Sequence, residues 1–171
     1  VLEEYRRFWM ARSLEDMREI EAAVAAYQDF LIACENPLLK RTARQQLANL
    51  YRKTDRPQQA IELYQLQLQD FGDMAAQALY LMARTHAEAN EQKSARAQLI
   101  KLMEEHPKST QALKAAIEIK GPLDAREAYA VATTYYHHKR YADASKRLQH
   151  FVRSYPRDQR LADAYYQLAS A

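Results

Sequence analysis

The stretch LANLYRKTDRPQQAIELY, residues 47–64, decides the fold of this chain. It places two alanines, Ala48 and Ala60, 12 residues apart, and a large apolar residue, Tyr64, follows four residues later. The same arrangement occurs 37 residues earlier, 35 residues later and a further 49 residues later. The alanine pairs of these copies are Ala11/Ala23, Ala83/Ala95 and Ala132/Ala144, and the following large residues are Tyr27, Leu99 and Leu148. Four copies in register indicate a helical-repeat array.

The spacing within each copy has a direct physical reason. A small residue on each of two helices lets their backbones approach, and large residues fill the space beside the crossing. Twelve residues with a turn between them place the two alanines on facing sides of consecutive antiparallel helices. Composition agrees, because only two glycines and five prolines occur and residues that favour helices dominate. We therefore predict an all-α fold.

The predicted architecture is a single solenoid over residues 1–171, a right-handed superhelix of antiparallel helix pairs with a concave side. An extra helix before Gly121 and Pro122 accounts for the one longer spacing. The units are 1–37, 38–73, 74–108, the extra helix 109–121, 122–157, and the first helix of a further unit, 158–171. The predicted helices are 1–17, 19–34, 38–53, 57–71, 74–89, 92–106, 109–119, 122–138, 141–154 and 158–170.

Charge is unevenly distributed along the chain. Residues 1–107 carry 14 Lys and Arg against 16 Asp and Glu, whereas residues 108–171 carry 11 against 6. This excess favours an acidic partner or an anionic surface for the C-terminal part. No basic run with interleaved aromatics indicates nucleic-acid binding, and no apolar run reaches the length of about 18 residues that a membrane span needs. We interpret the sequence, which begins without Met, as a segment of a longer protein.

Groups that could support chemistry are sparse. His137 and His138 are adjacent and do not face one another on a helix, so they cannot share a tetrahedral metal. No nucleophile elbow surrounds a Ser or Cys, and Cys34 has no second cysteine with which to form a disulfide. We predict no catalytic residue, no metal site and no cofactor. A catalytic domain in its own right is the rival interpretation, and it would require a hidden cofactor.

These residues resemble the tetratricopeptide repeat, whose pattern is a small residue in each helix, an aromatic in the second helix and a terminal proline. The resemblance covers about 130 of 171 residues. The chain lacks the usual turn glycine and an alignable tryptophan early in the first helix. The resemblance implies a non-catalytic module that binds a protein or scaffolds an adjoining domain.

Two stretches resemble a narrower group. Residues 141–168, with Tyr155-Pro156 and Ala164-Tyr165-Tyr166, are similar to repeats of bacterial cell-envelope tetratricopeptide proteins. The extra helix before Gly121 is similar to the superhelical, non-catalytic region of soluble lytic transglycosylases, which cleave peptidoglycan. That resemblance implies a bacterial envelope or periplasmic location, with the catalytic domain outside this chain. A scaffold of the outer-membrane assembly or Tol–Pal type is the alternative, and a cytoplasmic location is a further one.

The predicted site is the concave side, which the first helix of each pair lines. Residues offset from the core stripe on those helices are expected to contact a protein or peptide, or cell-wall glycan in the envelope interpretation, because Tyr and Arg give large contact areas with hydrogen-bonding ends. We also predict self-association through the last helix. The predicted partner-binding residues are Phe8, Arg12, Gln45, Asn49, Arg52, Tyr80, Arg84, Tyr129, Thr133, Tyr136 and Tyr166.

Overall fold

The structure is a computed structural model that describes residues 2–171. These residues form ten α-helices and one 3₁₀ helix, Gly72–Met74, without any strand. The predicted all-α fold is confirmed, and every helix begins and ends within three residues of its predicted bounds. The helices are α1 (Leu2–Asp16), α2 (Ile20–Ala33), α3 (Pro37–Lys53), α4 (Pro57–Asp70), α5 (Ala75–Glu88), α6 (Gln92–Glu105), α7 (Thr110–Glu118), α8 (Ala125–His137), α9 (Tyr141–Ser154) and α10 (Leu161–Ala169).

The chain divides into two compact units, one ending at Ala89 and the other starting at Asn90. Unit 1 contains α1 to α5, and unit 2 contains α6 to α10. The division falls in the turn between the two helices of the third repeat. A single solenoid over residues 1–171 stays a prediction.

The repeat alanines lie where the sequence places them. All eight are buried, and the most exposed of them, Ala95, is only 5% exposed. In unit 1, α1 packs against α2 and α3 packs against α4; in unit 2, α8 packs against α9. The large residues of the pattern fill the space beside these crossings, since Tyr27, Tyr64 and Leu148 are completely buried.

The turn inside each repeat follows one backbone design. The residue seven positions after the first alanine has a positive φ, between 57° and 63°, although it is never glycine. In three of the turns the next N–H donates to the carbonyl five residues back, which is the hydrogen bond of a Schellman helix end. The positive-φ residues are Arg18, Asp55, Asn90 and Lys139; the hydrogen bonds run from Glu19 to Leu14, Arg56 to Tyr51 and Arg140 to Tyr135.

Within unit 2, contacts of Arg96 fix the chain at the C-terminal end of the inserted helix α7. Gly121, with a φ of 84°, turns the chain after α7. Arg96 on α6 donates to the carbonyl oxygens of Lys120 and Pro122, at 2.8 and 2.7 Å. It also donates to the Glu127 carboxylate on α8, at 2.6 and 2.7 Å. One guanidinium thus joins α6, the link after α7 and the start of α8.

Two helices begin three residues later than predicted because acidic side chains fix the preceding turns. Asp124 accepts from the Glu127 N–H at 2.9 Å while Glu127 accepts from the Asp124 N–H at 3.0 Å, so a capping box begins α8 at Ala125. Asp158 accepts from the Arg160 N–H at 2.9 Å, and α10 begins only after that turn.

Candidate functional site

The predicted arginines of unit 1 lie on the first helices α1, α3 and α5, and acidic side chains already pair with them. Arg52 donates two hydrogen bonds to the Glu88 carboxylate, at 3.0 and 2.5 Å. Arg84 lies 3.5 Å from the same carboxylate. The Arg52 hydrogen bonds are the main reason that the pKa of Glu88 lies below its usual range. A partner would therefore have to compete with Glu88 for these two guanidinium groups.

Arg12 lies in a second charged cluster, on α1. Its guanidinium is 3.9 Å from Glu15 and 3.8 Å from Asp16. Lys53 of α3 lies 3.8 Å from Glu15 as well, and the Tyr27 hydroxyl donates to Glu15 at 3.2 Å. Burial raises the pKa of the Tyr27 phenol, and the neighbouring Glu15 carboxylate raises it further. This cluster ties α1, α2 and α3 together.

A polar depression of about 320 Å³ lies between α3 and α5. Two predicted residues, Asn49 and Arg52, line it, whereas Gln45, Tyr80 and Arg84 do not. Sequence reasoning missed the other three lining residues, Gln46, Lys53 and Glu88. Gln46 and Lys53 follow the predicted Gln45 and Arg52 by one residue, so a wider helical face would have included them.

Phe8 is a correction to the predicted surface. The sequence pattern predicts a position off the core stripe, but Phe8 is only 6% exposed. Its ring centroid lies 6.2 Å from that of Tyr27 and 5.7 Å from that of Phe30, both on α2. Phe8 therefore belongs to the core of unit 1 and is not accessible to a partner.

The predicted residues of unit 2 divide between packing and exposure. Tyr129 packs on Phe151 with ring centroids 5.4 Å apart, and its hydroxyl accepts from the Gln167 amide at 3.2 Å. Thr133 donates to the Gln167 carbonyl oxygen at 3.2 Å. Tyr129 and Thr133 thus hold α10 against α8.

The two remaining tyrosines of unit 2 do not share that role. Tyr136 is half-buried and meets Tyr141 edge-on, with ring centroids 5.9 Å apart. Tyr166 on α10 is 72% exposed. Of the predicted residues in this unit, Tyr166 is thus the most accessible to a partner.

A larger groove lies on the other face of unit 1, and sequence reasoning missed it. It measures about 710 Å³, with α3 as its floor and α2 and α4 as its walls. We call it the outer groove. Its α3 residues lie opposite Asn49 and Arg52 around the helix, given 3.6 residues per turn. The lining residues are Gln28, Asp29, Leu31, Ile32, Lys40, Arg44, Leu47, Tyr51, Gln59, Glu62, Leu63 and Leu66.

The outer groove combines exposed apolar walls with a fixed polar floor. Ile32 is 85% exposed and Leu66 is 43% exposed. Tyr51 is buried, and its hydroxyl accepts from the Gln28 amide at 2.8 Å. Arg44 is held by Asp70 at 2.7 Å and by the Leu66 carbonyl at 3.3 Å. The signal available in the sequence was that Ile32 and Leu66 are apolar although they lie outside the repeat pattern.

Among residues 2–171, no group of three or more His, Cys, Asp or Glu side chains is arranged to hold a metal ion. Within the same residues, no helix combines the length and apolar character that crossing a membrane requires.

The fold and these surfaces define a class of protein, an all-helical repeat protein with open surfaces on paired helices. The sequence model of the tetratricopeptide repeat matches residues 77–109. A tetratricopeptide repeat protein from Parabacteroides merdae ATCC 43184 is similar in structure, with a TM-score of 0.53 and 14% identity over 99% of this chain and 75% of that chain. The chain therefore contains a tetratricopeptide repeat and has the tetratricopeptide-repeat fold.

Other comparisons add little to this assignment. BtubC (BKLC) from P. vanneervenii is 15% identical over 94% of this chain and 68% of that chain, but a TM-score of 0.44 is too low to support a conclusion. No curated protein matches the sequence. The kinship with lytic transglycosylases stays a prediction.

Proposed function

We propose that this chain is a non-catalytic interaction module that holds a segment of a partner protein in the outer groove of unit 1. The tetratricopeptide-repeat fold supports the general role, since such repeats typically bind proteins without catalysis. The observation that carries the site is the groove itself, about 710 Å³ with exposed Ile32 and Leu66 on facing walls. Pockets of this volume are large enough to take several side chains.

The groove offers both parts of a productive interface. Its leucine and isoleucine walls can bury apolar side chains of the partner, and each Å² removed from water contributes about 25 cal/mol. Its floor is formed by Tyr51 and Arg44, which are 4% and 7% exposed and are fixed by internal contacts. The floor therefore keeps its shape while the walls contact the partner, so little side-chain freedom is lost on binding. An amphipathic segment fits this arrangement.

The first-helix face of unit 1 is the second candidate. Arg84 is exposed, and it shares the Glu88 carboxylate with Arg52. An incoming carboxylate can bind Arg84 while Glu88 keeps Arg52, so no guanidinium is left unpaired. This face would select acidic residues, whereas the outer groove selects apolar ones.

Peptides selected from a random library on the whole chain, and then titrated by fluorescence anisotropy, test the site. The groove variant is Ile32→Asp with Leu66→Asp. Its control is Leu38→Asp with Ile117→Asp, which alters two exposed apolar residues outside the groove. We expect the groove variant to weaken binding more than about tenfold and the control to leave it unchanged. Loss on Arg84→Ala with a normal groove variant would place the site on the first-helix face.

We further propose that the chain belongs to a bacterial envelope protein, either a lytic transglycosylase or an outer-membrane scaffold. A periplasmic location and a cell-wall glycan partner are parts of the same proposal. They are supported by the sequence resemblance of residues 141–168 and of the inserted helix α7. Sequencing the full-length gene tests them, since a secretory signal upstream and a transglycosylase domain downstream are expected. A full-length gene with neither would leave only the general interaction role.

Self-association through α10 is proposed on its exposed side chains. Tyr165 is 59% exposed, whereas Leu161 and Leu168 pack partly against the core of unit 2. Sedimentation of the wild type and of Tyr165→Ser with Tyr166→Ser tests it. A dimer that the variant abolishes is expected, and a wild-type monomer at high concentration would contradict it.

A further inference from the structure

The arginines of this chain differ in whether a carboxylate pairs with them. On the first-helix face, Arg12, Arg52 and Arg84 each lie within ion-pair distance of a carboxylate. On α9 and just after it, several cations have no carboxylate within ion-pair distance in the part of the chain that the structure describes. Among residues 2–171, no carboxylate pairs with the following exposed cations of this region: Lys146, Arg147, Arg153 and Arg157.

Helix α9 turns these cations toward solvent. Its apolar side packs into the core of unit 2, where Ala144, Leu148 and Phe151 are completely buried. Lys146 and Arg153 lie seven residues apart on the opposite side, with exposed His150 between them. A rise of about 1.5 Å per residue separates the two cations by about 10 Å along the helix. Arg147 lies about 100° around the helix from Lys146, on the side next to α8. We call Lys146, Arg147 and Arg153, which together cover about a third of the circumference of α9, the α9 basic face.

Arg147 is held in place by an aromatic ring. Its guanidinium carbon lies 4.6 Å from the ring centroid of Tyr135, which is buried on α8. Arg140 lies 5.1 Å from the same ring, but it pairs with Asp143 at 2.9 Å. A guanidinium stacked on an aromatic ring keeps its hydrogen-bond donors free at its edges. Arg147 is therefore oriented for a carboxylate that this chain does not supply.

The local charge balance indicates the partner. Residues 139–157 contain six Lys and Arg and a single acidic residue, Asp143. We propose that the α9 basic face binds an acidic segment of a partner protein, in which several Asp or Glu carboxylates meet Lys146, Arg147 and Arg153. This surface shares no residue with the outer groove, because the groove lies in unit 1 and α9 lies in unit 2.

Two other anionic partners fit less well. Stable attachment of a helix to a lipid surface requires an exposed apolar side, and the apolar side of α9 is buried in unit 2. Single-stranded nucleic acid is bound through aromatic side chains on which bases stack. The exposed phenol ring of α9, that of Tyr141, already meets Tyr136 edge-on and lies about 140° around the helix from Lys146, so only the imidazole of His150 lies between the cations. A protein carboxylate needs neither feature, and Arg147 presents the planar fork that pairs with it.

The experiment uses the whole chain and a fluorescein-labelled decaglutamate peptide as the probe, measured by anisotropy at low and at physiological salt. The test variant is Lys146→Gln with Arg147→Gln and Arg153→Gln. Its control is Lys93→Gln with Lys114→Gln and Lys120→Gln, which removes the same charge from exposed positions elsewhere in unit 2. All six positions are exposed, so the control is expected to melt like the wild type. The test variant also loses the stacking of Arg147 on Tyr135, so a thermal melt first checks that it is folded at the assay temperature.

We expect the test variant to lose about tenfold or more in affinity, because each lost charge pair weakens binding severalfold, while the control loses about twofold or less. Wild-type affinity should fall with salt. Equal losses of affinity in both variants would overturn the proposal, because affinity would then depend on the net charge of the chain rather than on the position of the cations. Absence of wild-type binding at low salt would also overturn it, and so would tighter binding to a decathymidine oligonucleotide or to phosphatidylserine vesicles than to the peptide.

Discussion

Gln67 occupies a core position that is apolar in the other three copies of the repeat. The corresponding residues are Phe30, Leu102 and Phe151, all of them buried. Gln67 is only 1% exposed, and within residues 2–171 its amide nitrogen and oxygen have no hydrogen-bond partner. A buried amide that exchanges water for no partner costs about 1–3 kcal/mol. Unit 1 therefore carries a residue that weakens its own core.

The change Gln67→Met keeps the length of the side chain and removes both unpartnered polar atoms. We expect the free energy of unfolding to rise by about 1–2 kcal/mol. Urea titration followed by circular dichroism measures it, with Gln65→Met on the exposed side of α4 as the control. A loss of stability in Gln67→Met would mean that the amide is satisfied by bound water.

Ala95 tests the register of the repeat itself. It lies on α6 and is 5% exposed, whereas Ala97, two residues later, is exposed. Ala95→Leu inserts three carbons at a buried position of α6, so we expect a loss of about 1–3 kcal/mol. Ala97→Leu adds the same atoms toward solvent and should change stability by less than about 0.5 kcal/mol. Equal thermal midpoints for the two variants would contradict the register.

At the scale of elements, the sequence predicted the helices well because small residues at fixed spacing leave few alternatives. The segment Leu66-Gln67-Leu68-Gln69 alternates like a strand, yet it is helical as predicted, since its flanks continue the helical period. The starts of α8 and α10 were less accurate. They depend on side-chain hydrogen bonds of Asp124 and Asp158, which compete with the backbone pattern.

The candidate surfaces were predicted less completely than the helices. Helical phase identified Asn49 and Arg52, which line the depression between α3 and α5. It could not show that Glu88, 36 residues beyond Arg52, takes that guanidinium, because the pair forms between neighbouring repeats. Helical phase gives Phe8, Gln45 and Tyr80 equivalent positions, three residues before the first alanine of each repeat, but only Phe8 is buried. The difference is the aromatic cluster with α2, which sequence phase does not reveal.

The four turns at positive φ give a prediction at this scale. A left-handed conformation costs a non-glycine residue about 1 kcal/mol. Lys139 has a φ of 58° and an exposed side chain. We expect Lys139→Gly to raise the free energy of unfolding by about 0.5–1 kcal/mol, as the relief of strain exceeds the added freedom of the unfolded chain. Arg140→Gly, at a φ of −85°, is the control and should destabilise in the same urea titration.

For the molecule as a whole, ion pairs between carboxylates and arginines determine the response to acid. Hydrogen bonds from Arg6 and Arg7 lower the pKa of Glu3 to about 2, and those from Arg160 lower the pKa of Asp158 to about 2. Hydrogen bonding to Arg96 likewise lowers the pKa of Glu127. Each of these carboxyls binds its proton more weakly in the folded chain than in the unfolded one. Their stabilisation is therefore complete above the unfolded pKa, about 4.5 for glutamate and 3.8 for aspartate, and is lost as the pH falls toward 2.

The free energy of unfolding should accordingly fall between about pH 4.5 and pH 2, and Glu127→Gln should make that fall shallower. Glutamine can still accept from the Asp124 N–H, so the capping box remains and only the charge opposite Arg96 is removed. We expect a loss of about 1 kcal/mol at pH 7 that shrinks as the pH falls below about 4.5 and wild-type Glu127 takes up its proton as well. Urea titrations across this pH range measure it. The control Glu62→Gln alters an exposed carboxylate that has no ion pair within residues 2–171, so its curve should run parallel to the wild type. A constant deficit for Glu127→Gln down to pH 2 would show that the glutamate stabilises α8 by packing rather than through its charge.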